Sequence, residues 1–190
     1  MSALVLRGYQ LDAIQSTRDR IASGRRAPLI VAPTGAGKSA IASSIIRSHL
    51  ERDPSHRVLV VAHRRELIEQ MAKTLIRSGV AMIDIGQIMP GVIARSSARV
   101  QVASTQTLRA RNILPPATLI VYDEAHRICG DASDRPFSYV LRTVAAMRGK
   151  AARPKQLFTT ATPAYEPAEV SMRDRGLFGG VAYRYHMRRG

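Results

Sequence analysis

The chain has 190 residues, 45% of them hydrophobic and 23% charged, enough for one well-buried domain of ordinary soluble composition. Its 29 Lys and Arg against 14 Asp and Glu give a net charge of +15, the electrostatic footprint of a nucleic-acid binder; a basic, well-solvated surface or a face that meets an acidic partner protein is the alternative. The single cysteine, Cys129, excludes an internal disulfide and a cysteine-based zinc cluster, and no stretch suits a signal peptide or membrane span, so a soluble cytoplasmic protein is expected.

After Arg7-Gly8-Tyr9-Gln10, the spacing of Leu11, Ile14 and Ile21 predicts a helix with those residues on one face, closed by Ser23-Gly24. A strand is expected at 29–32, then a helix carrying Ile41, Ile45, Ile46 and Leu50 that ends at Asp53-Pro54. Val58 to Ala62 is a continuous apolar run, as in a strand covered on both faces. The stripe of Leu67, Ile68, Met71, Leu75 and Ile76 predicts a helix from about Arg64 to Ser78, stopped by Gly79. Residues 80–103 read as two short strands, about 82–88 and 99–103, around a Pro90-Gly91 turn. A short helix near 105–110 and a strand from Thr118 to Tyr122 come next. A helix over 136–148 turns Phe137, Val140, Leu141, Val144 and Met147 inward, and strands follow at Gln156 to Thr160 and near 181–186. Apolar strands alternating with amphipathic helices argue for an α/β domain with a mainly parallel sheet, whose ligands sit at the carboxyl ends of the strands.

Three motifs directly follow predicted strands and would meet along that edge. The first is Ala32-Pro33-Thr34-Gly35-Ala36-Gly37-Lys38-Ser39, a small-residue loop at a strand-to-helix junction. Gly35 and Gly37 allow tight bends that turn successive N–H groups toward phosphate oxygens, and the next helix adds its positive dipole end. Lys38 suits the β- and γ-phosphates of a nucleoside triphosphate, and the Ser39 hydroxyl suits Mg²⁺. Ala32 departs from the pattern, which opens on Gly. The second motif, Asp123-Glu124-Ala125-His126, lies 85 residues after Lys38 and supplies two adjacent carboxylates leaving a buried strand. Asp123 is assigned to the metal and Glu124 to the attacking water, as triphosphate hydrolysis requires. The third is Thr160-Ala161-Thr162-Pro163.

In their order, these motifs resemble the first motor domain of a superfamily 2 helicase or translocase, of the DEAH-containing kind related to type III restriction-enzyme motor subunits. The resemblance covers nearly the whole chain and implies a three-layer α/β/α sandwich of the RecA-like, P-loop NTPase type. Arg7 to Gln10 is similar to the adenine-recognising glutamine motif, with Gly8 where Pro is common, and Ala32 to Ser39 to motif I, which also often begins with Ala. Val61 to Leu67 resembles motif Ia, which implies backbone contact from Arg64, and Ala103 to Leu108 resembles the next strand-contacting motif, with Ser104, Thr105 and Gln106. Those three residues equally suit the cap of a short helix. Asp123 to His126 corresponds to motif II and Thr160 to Pro163 to motif III; His126 is then expected to hydrogen-bond Thr160 or Thr162 and link nucleotide state to strand grip.

Such motors bind ATP between two domains, the second supplying an arginine finger worth on the order of 10³–10⁵ in rate. After Pro163 only 27 residues remain, against the ~100 another domain needs. The expectation is a single ATP-binding domain over 1–190, using ATP and Mg²⁺ on nucleic acid, DNA before RNA, with a separate second motor domain as partner. A split motor, as in a compact viral genome and then in the host cytoplasm, is one reading. A hydrolysis-deficient remnant and a nucleotide-gated nucleic-acid-binding adaptor are the others.

Overall fold

In the computed structural model, residues 4–25, 27–125, 139–140, 143–144, 146–147, 153–161 and 181–185 are described. Seven strands form one sheet in which every pairing is parallel: β1 (Leu29–Val31), β2 (Val58–Ala62), β3 (Ile85–Ile88), β4 (Val100–Ser104), β5 (Leu119–Tyr122), β6 (Lys155–Thr160) and β7 (Val181–Arg184), in the order β3-β4-β2-β5-β6-β1-β7. The helices are α1 (Gly8–Ala22), α2 (Lys38–Arg52), α3 (Arg65–Arg77) and the short α4 (Thr105–Ala110).

Side chains alternate across each strand, so the apolar runs feed two cores at once. Ile30, Val58, Val60, Val102, Val121 and Leu157 face one way and are covered by α1, α2 and α3. Leu29, Val31, Leu59, Val61, Ile120, Tyr122 and Phe158 face the other, beneath Leu108 of α4 and the helical residues Val140 and Val144. These are the three layers expected of a parallel sheet, whose crossovers place helices on both faces.

The helix stripes of α2 and α3 fall where the periodicity puts them: Ile41, Ile45, Ile46, Leu50, Ile68, Met71 and Leu75 are buried, and Leu67 and Ile76 are half-buried against the same core. Two expectations change. In α1 the buried face is Gln10, Ala13, Ile14 and Thr17, while Leu11 is 54% exposed, because the helix starts at Gly8 and turns Tyr9 and Gln10 toward the sheet edge. Residues 82–84 form a 3₁₀ turn instead of strand. The Pro90-Gly91 turn is present as expected, and because β3 and β4 run parallel it belongs to a crossover. In the helix expected over 136–148, Val140 and Val144 are buried and Met147 half-buried; Phe137 and Leu141 lie outside the described residues.

At the amino edge of the sheet, α2 ends in a polar cluster. Arg99 donates from Nη2 to the carbonyls of Leu50 (2.9 Å) and Asp53 (2.8 Å), neutralising acceptors that a helix end leaves unpaired. The rings of His49 and His56 stack at 4.1 Å, and His56 Nδ1 donates to the His49 carbonyl at 2.7 Å. His49 Nε2 meets Thr118 Oγ1 at 2.8 Å. Burial first, then the neighbouring His56, Lys155, Arg52 and Arg99 charges, lower the His49 pKa to about 4.

The unfolded chain therefore takes up this proton below about pH 6.5 and the folded chain only below about 4, so protonation favours unfolding in that window. Stability is expected to fall on the order of 2–3 kcal/mol as pH drops from 6.5 to 4. Urea midpoints across this range should show that loss in the native chain and a flatter profile in His49→Gln. Equal slopes in both would remove His49 as the cause.

Candidate functional site

β1 delivers the chain into the loop 32–37, and α2 leaves it at Lys38. Ala32 directly follows the strand: it is buried, and its N–H donates to the Thr160 carbonyl at 3.0 Å. No glycine is needed there. The bends come at Gly35 (φ +83°) and Gly37 (φ +76°), both left-handed, with Gly37 as the N-cap of α2. A Cβ on Gly37 would also run into the Gln10 side-chain amide. The Lys38 ammonium lies over the loop, donating to the carbonyls of Ala32 (3.2 Å) and Pro33 (3.5 Å), and Ser39 is half-buried in the first turn of α2. Thr34 and Gly35 are exposed at the apex, and Pro33 is half-buried.

The start of α1 closes one side of this loop. Gln10 is buried; its Nε2 donates to the Ala36 carbonyl at 3.1 Å, and its Oε1 accepts from the Arg7 N–H at 2.9 Å. Both ends of the amide are thus engaged within the protein. Arg7 is exposed beside it. Tyr9, which the motif reading passed over, donates its hydroxyl to the same Ala36 carbonyl at 3.0 Å.

On the other side, β5 ends at Asp123. The strand order β5-β6-β1 leaves only β6 between the carboxylates and the phosphate loop, two strand spacings or about 10 Å. Asp123 is buried, and its Oδ1 accepts from Thr159 Oγ1 at 2.8 Å and from the Glu124 N–H at 3.1 Å. Glu124 is left-handed at φ +58°, a conformation that costs a non-glycine residue about 1–3 kcal/mol and gathers at functional sites. Thr160 is buried at the end of β6. Thr159, not Thr160, holds Asp123; period-two alternation along β6 was the signal, since Thr159 shares the α2-facing side with Leu157. His126 and Thr162 lie outside the described residues.

The ends of β2 and β4 are neighbours, with Ala62 paired to Ser104. Ser104 is the N-cap of α4 and accepts from the Thr107 N–H at 3.4 Å. Thr105 is fully buried, and its hydroxyl donates to Gln106 Oε1 at 3.2 Å. Exposed Gln106 donates from Nε2 to the His63 carbonyl at 3.2 Å, next to exposed Arg64, the N-cap of α3. Of the four residues expected to meet nucleic acid, Arg64 and Gln106 are exposed, and the Ser104 and Thr105 hydroxyls support Gln106 from within. Two surface cavities, about 310 and 430 Å³, sit at the opposite, amino edge of the sheet, beside His49 and Lys155 and beside Pro115 and Met147 respectively. Neither touches these residues.

Residues 3–165 match the family model described as the type III restriction enzyme, res subunit. The chain belongs to that family. Its domain is a superfamily 2 motor domain of RecA-like fold. An African swine fever virus protein named "Probable helicase" is 47% identical over 72 residues, covering 38% of this chain and 8% of that one. The type I restriction enzyme EcoKI endonuclease subunit of Escherichia coli is 29% identical over 210 residues, covering 99% and 17%. The Hef helicase domain of Pyrococcus furiosus superposes with a TM-score of 0.66 at 26% identity, over 90% of this chain and 38% of that one. The res-type chain thus spans less than a fifth of these two curated relatives. No helix among its described residues is long and apolar enough to cross a membrane.

Gly37→Ala is expected to cost roughly 1–3 kcal/mol, from the left-handed backbone and the collision with Gln10. Gln10→Ala in the same chain should recover part of that loss, giving a non-additive cycle in urea titration. A cost independent of residue 10 would leave backbone strain as the whole effect.

Proposed function

We propose that this motor domain is the ATP-binding half of a DNA or RNA helicase or translocase, which couples Mg-ATP hydrolysis to movement on nucleic acid. The observation that carries the reading is the delivery of the glycine-bent loop, Lys38 and the Asp123-Glu124 pair to one sheet edge with a single strand between them. The residues fit a triphosphate and its metal: a loop whose glycine a side chain would obstruct, an ammonium over it, and a buried carboxylate on the face of the sheet that α2 covers. The backbone of Pro33, Thr34, Gly35, Ala36 and Gly37 cradles phosphates, and Lys38 moves from loop carbonyls to phosphate oxygens. Ser39 and Asp123 hold Mg²⁺, whose charge neutralises the phosphate oxygens when it is bound. Glu124 orients and deprotonates the attacking water. Arg7 and Gln10 face the adenine side; Gln10 also holds the loop itself through Ala36.

Nucleic acid runs across the ends of β2 and β4, where Arg64 and Gln106 reach backbone phosphates with Ser104 and Thr105 behind them, and the net charge of +15 draws the polyanion in. DNA is the favoured substrate. Thr160, with His126 and Thr162, couples the two sites. The opposite wall of the ATP site, with its arginine finger, comes from a second motor domain, in the same protein or another. The site is intracellular in this reading.

Calorimetric titration of the purified chain with Mg-ATP should show binding that Lys38→Ala abolishes while the fold survives. Glu124→Gln should keep binding and lower any hydrolysis about 10²–10⁴-fold. Unchanged binding in Lys38→Ala would remove the phosphate-loop assignment. Rapid DNA-stimulated turnover by this chain alone would remove the need for a second domain.

A further inference from the structure

The residue after β7 reaches across to the phosphate loop. The Tyr185 ring lies on the Tyr9 ring, with centroids 4.3 Å apart and planes inclined by 32°. The Tyr185 N–H donates to the Val31 carbonyl at 2.9 Å, which fixes this stack beside the last residue of β1. Tyr9 in turn donates its hydroxyl to the Ala36 carbonyl, the oxygen that also accepts from Gln10. Two residues before Tyr185, Tyr183 packs against the core under α1; burial first, then the Asp12 carboxylate, holds its phenol above the ordinary range.

The target of these bonds matters. Ala36 lies between the two left-handed glycines of the loop. In a planar trans peptide the C=O and the following N–H point in opposite directions. Two donors drawing the Ala36 carbonyl toward α1 therefore turn the Gly37 N–H away from α1. Gln10 is anchored through the Arg7 backbone, whereas Tyr9 is only half-buried and its ring is held by Tyr185.

We propose that Tyr185 is a positioning residue for nucleotide binding: by stacking on Tyr9 it keeps the Tyr9 hydroxyl on the Ala36 carbonyl, sets the Gly37 N–H, and couples the chain leaving β7 to the grip of the phosphate loop. This rests on the ATP reading above. Displacement of the chain beyond Tyr185 loosens the loop, and by linkage nucleotide binding tightens the stack.

The test is Mg-ATP titration of the full chain, with thermal melting and near-ultraviolet circular dichroism, which reports its six tyrosines free of tryptophan. Tyr185→Leu should bind Mg-ATP about three- to tenfold more weakly, the worth of an aromatic pair. Tyr185→Phe should stay within about twofold, because the ring survives. Tyr9→Phe, which keeps the stack and loses only the hydroxyl, should weaken binding about two- to fivefold. The dichroism of the stacked rings should change with nucleotide in the native chain and not in Tyr185→Leu. Native-like affinity in either Tyr185→Leu or Tyr9→Phe, with Lys38→Ala still weakened, overturns this inference alone. Absence of Mg-ATP binding by the native chain overturns the nucleotide reading and this inference with it, while the dichroic signature of the stack would remain.

Discussion

Every strand of the sheet runs in the same direction, and the arrangement of the site depends on that constraint. Parallel pairing cannot be closed by tight hairpins, so each strand must be reached by a crossover that returns to the amino edge. The carboxyl ends of all seven strands therefore lie along one side, and whatever follows them in sequence is gathered there. The cost is a sheet buried on both faces, met by the uninterrupted apolar runs of β2 and β5 and by two separate cores. Most crossovers carry a helix; the one from β3 to β4 has none among residues 89–99.

With the strand ends fixed, left-handed backbone recurs at the same edge, as it does at Gly24, Gly79 and Asn112 elsewhere. Gly35, Gly37 and Glu124 all hold positive φ there, and the buried polar groups beside them satisfy one another. Gln10 bonds the loop, Thr159 bonds Asp123, and Ser104 caps α4. A buried carboxylate or amide without such a partner would cost about 1–3 kcal/mol or more, so this edge tolerates little rearrangement one residue at a time. The amino edge is built differently. Its His49, His56 and Arg99 cluster closes a helix end.

Much of this could be read from residues alone, because the signals were local. The run from Val58 to Ala62 is a strand at the expected residues, and the α2 and α3 stripes bury as their spacing requires. Errors arose where tertiary placement overrides local pattern. Leu11 is apolar and helical yet exposed, since Tyr9 and Gln10 orient α1 toward the phosphate loop. The Pro90-Gly91 pair marks a turn correctly but does not reveal whether the next strand returns beside its predecessor or parallel to it. Thr159 and Tyr185 carry no motif; their partners, Asp123 and Tyr9, are 36 and 176 residues away and meet only through the sheet. Ala32 looked like a departure from the loop pattern, but it directly follows β1, with an N–H bond to the Thr160 carbonyl and no positive φ, and asks nothing that Gly alone supplies.

That last bond makes β6 more than a spacer. Its final two residues divide their work: Thr159 uses its side chain to hold Asp123, and Thr160 uses its backbone carbonyl to hold Ala32. One strand end thus touches the carboxylate pair and the start of the phosphate loop through bonds of 2.8 and 3.0 Å. A shift of β6 along its own axis would disturb both together, whereas a rotation of the Thr159 side chain would release only Asp123. Adjacent residues of the central sheet thus join the two parts of the site directly.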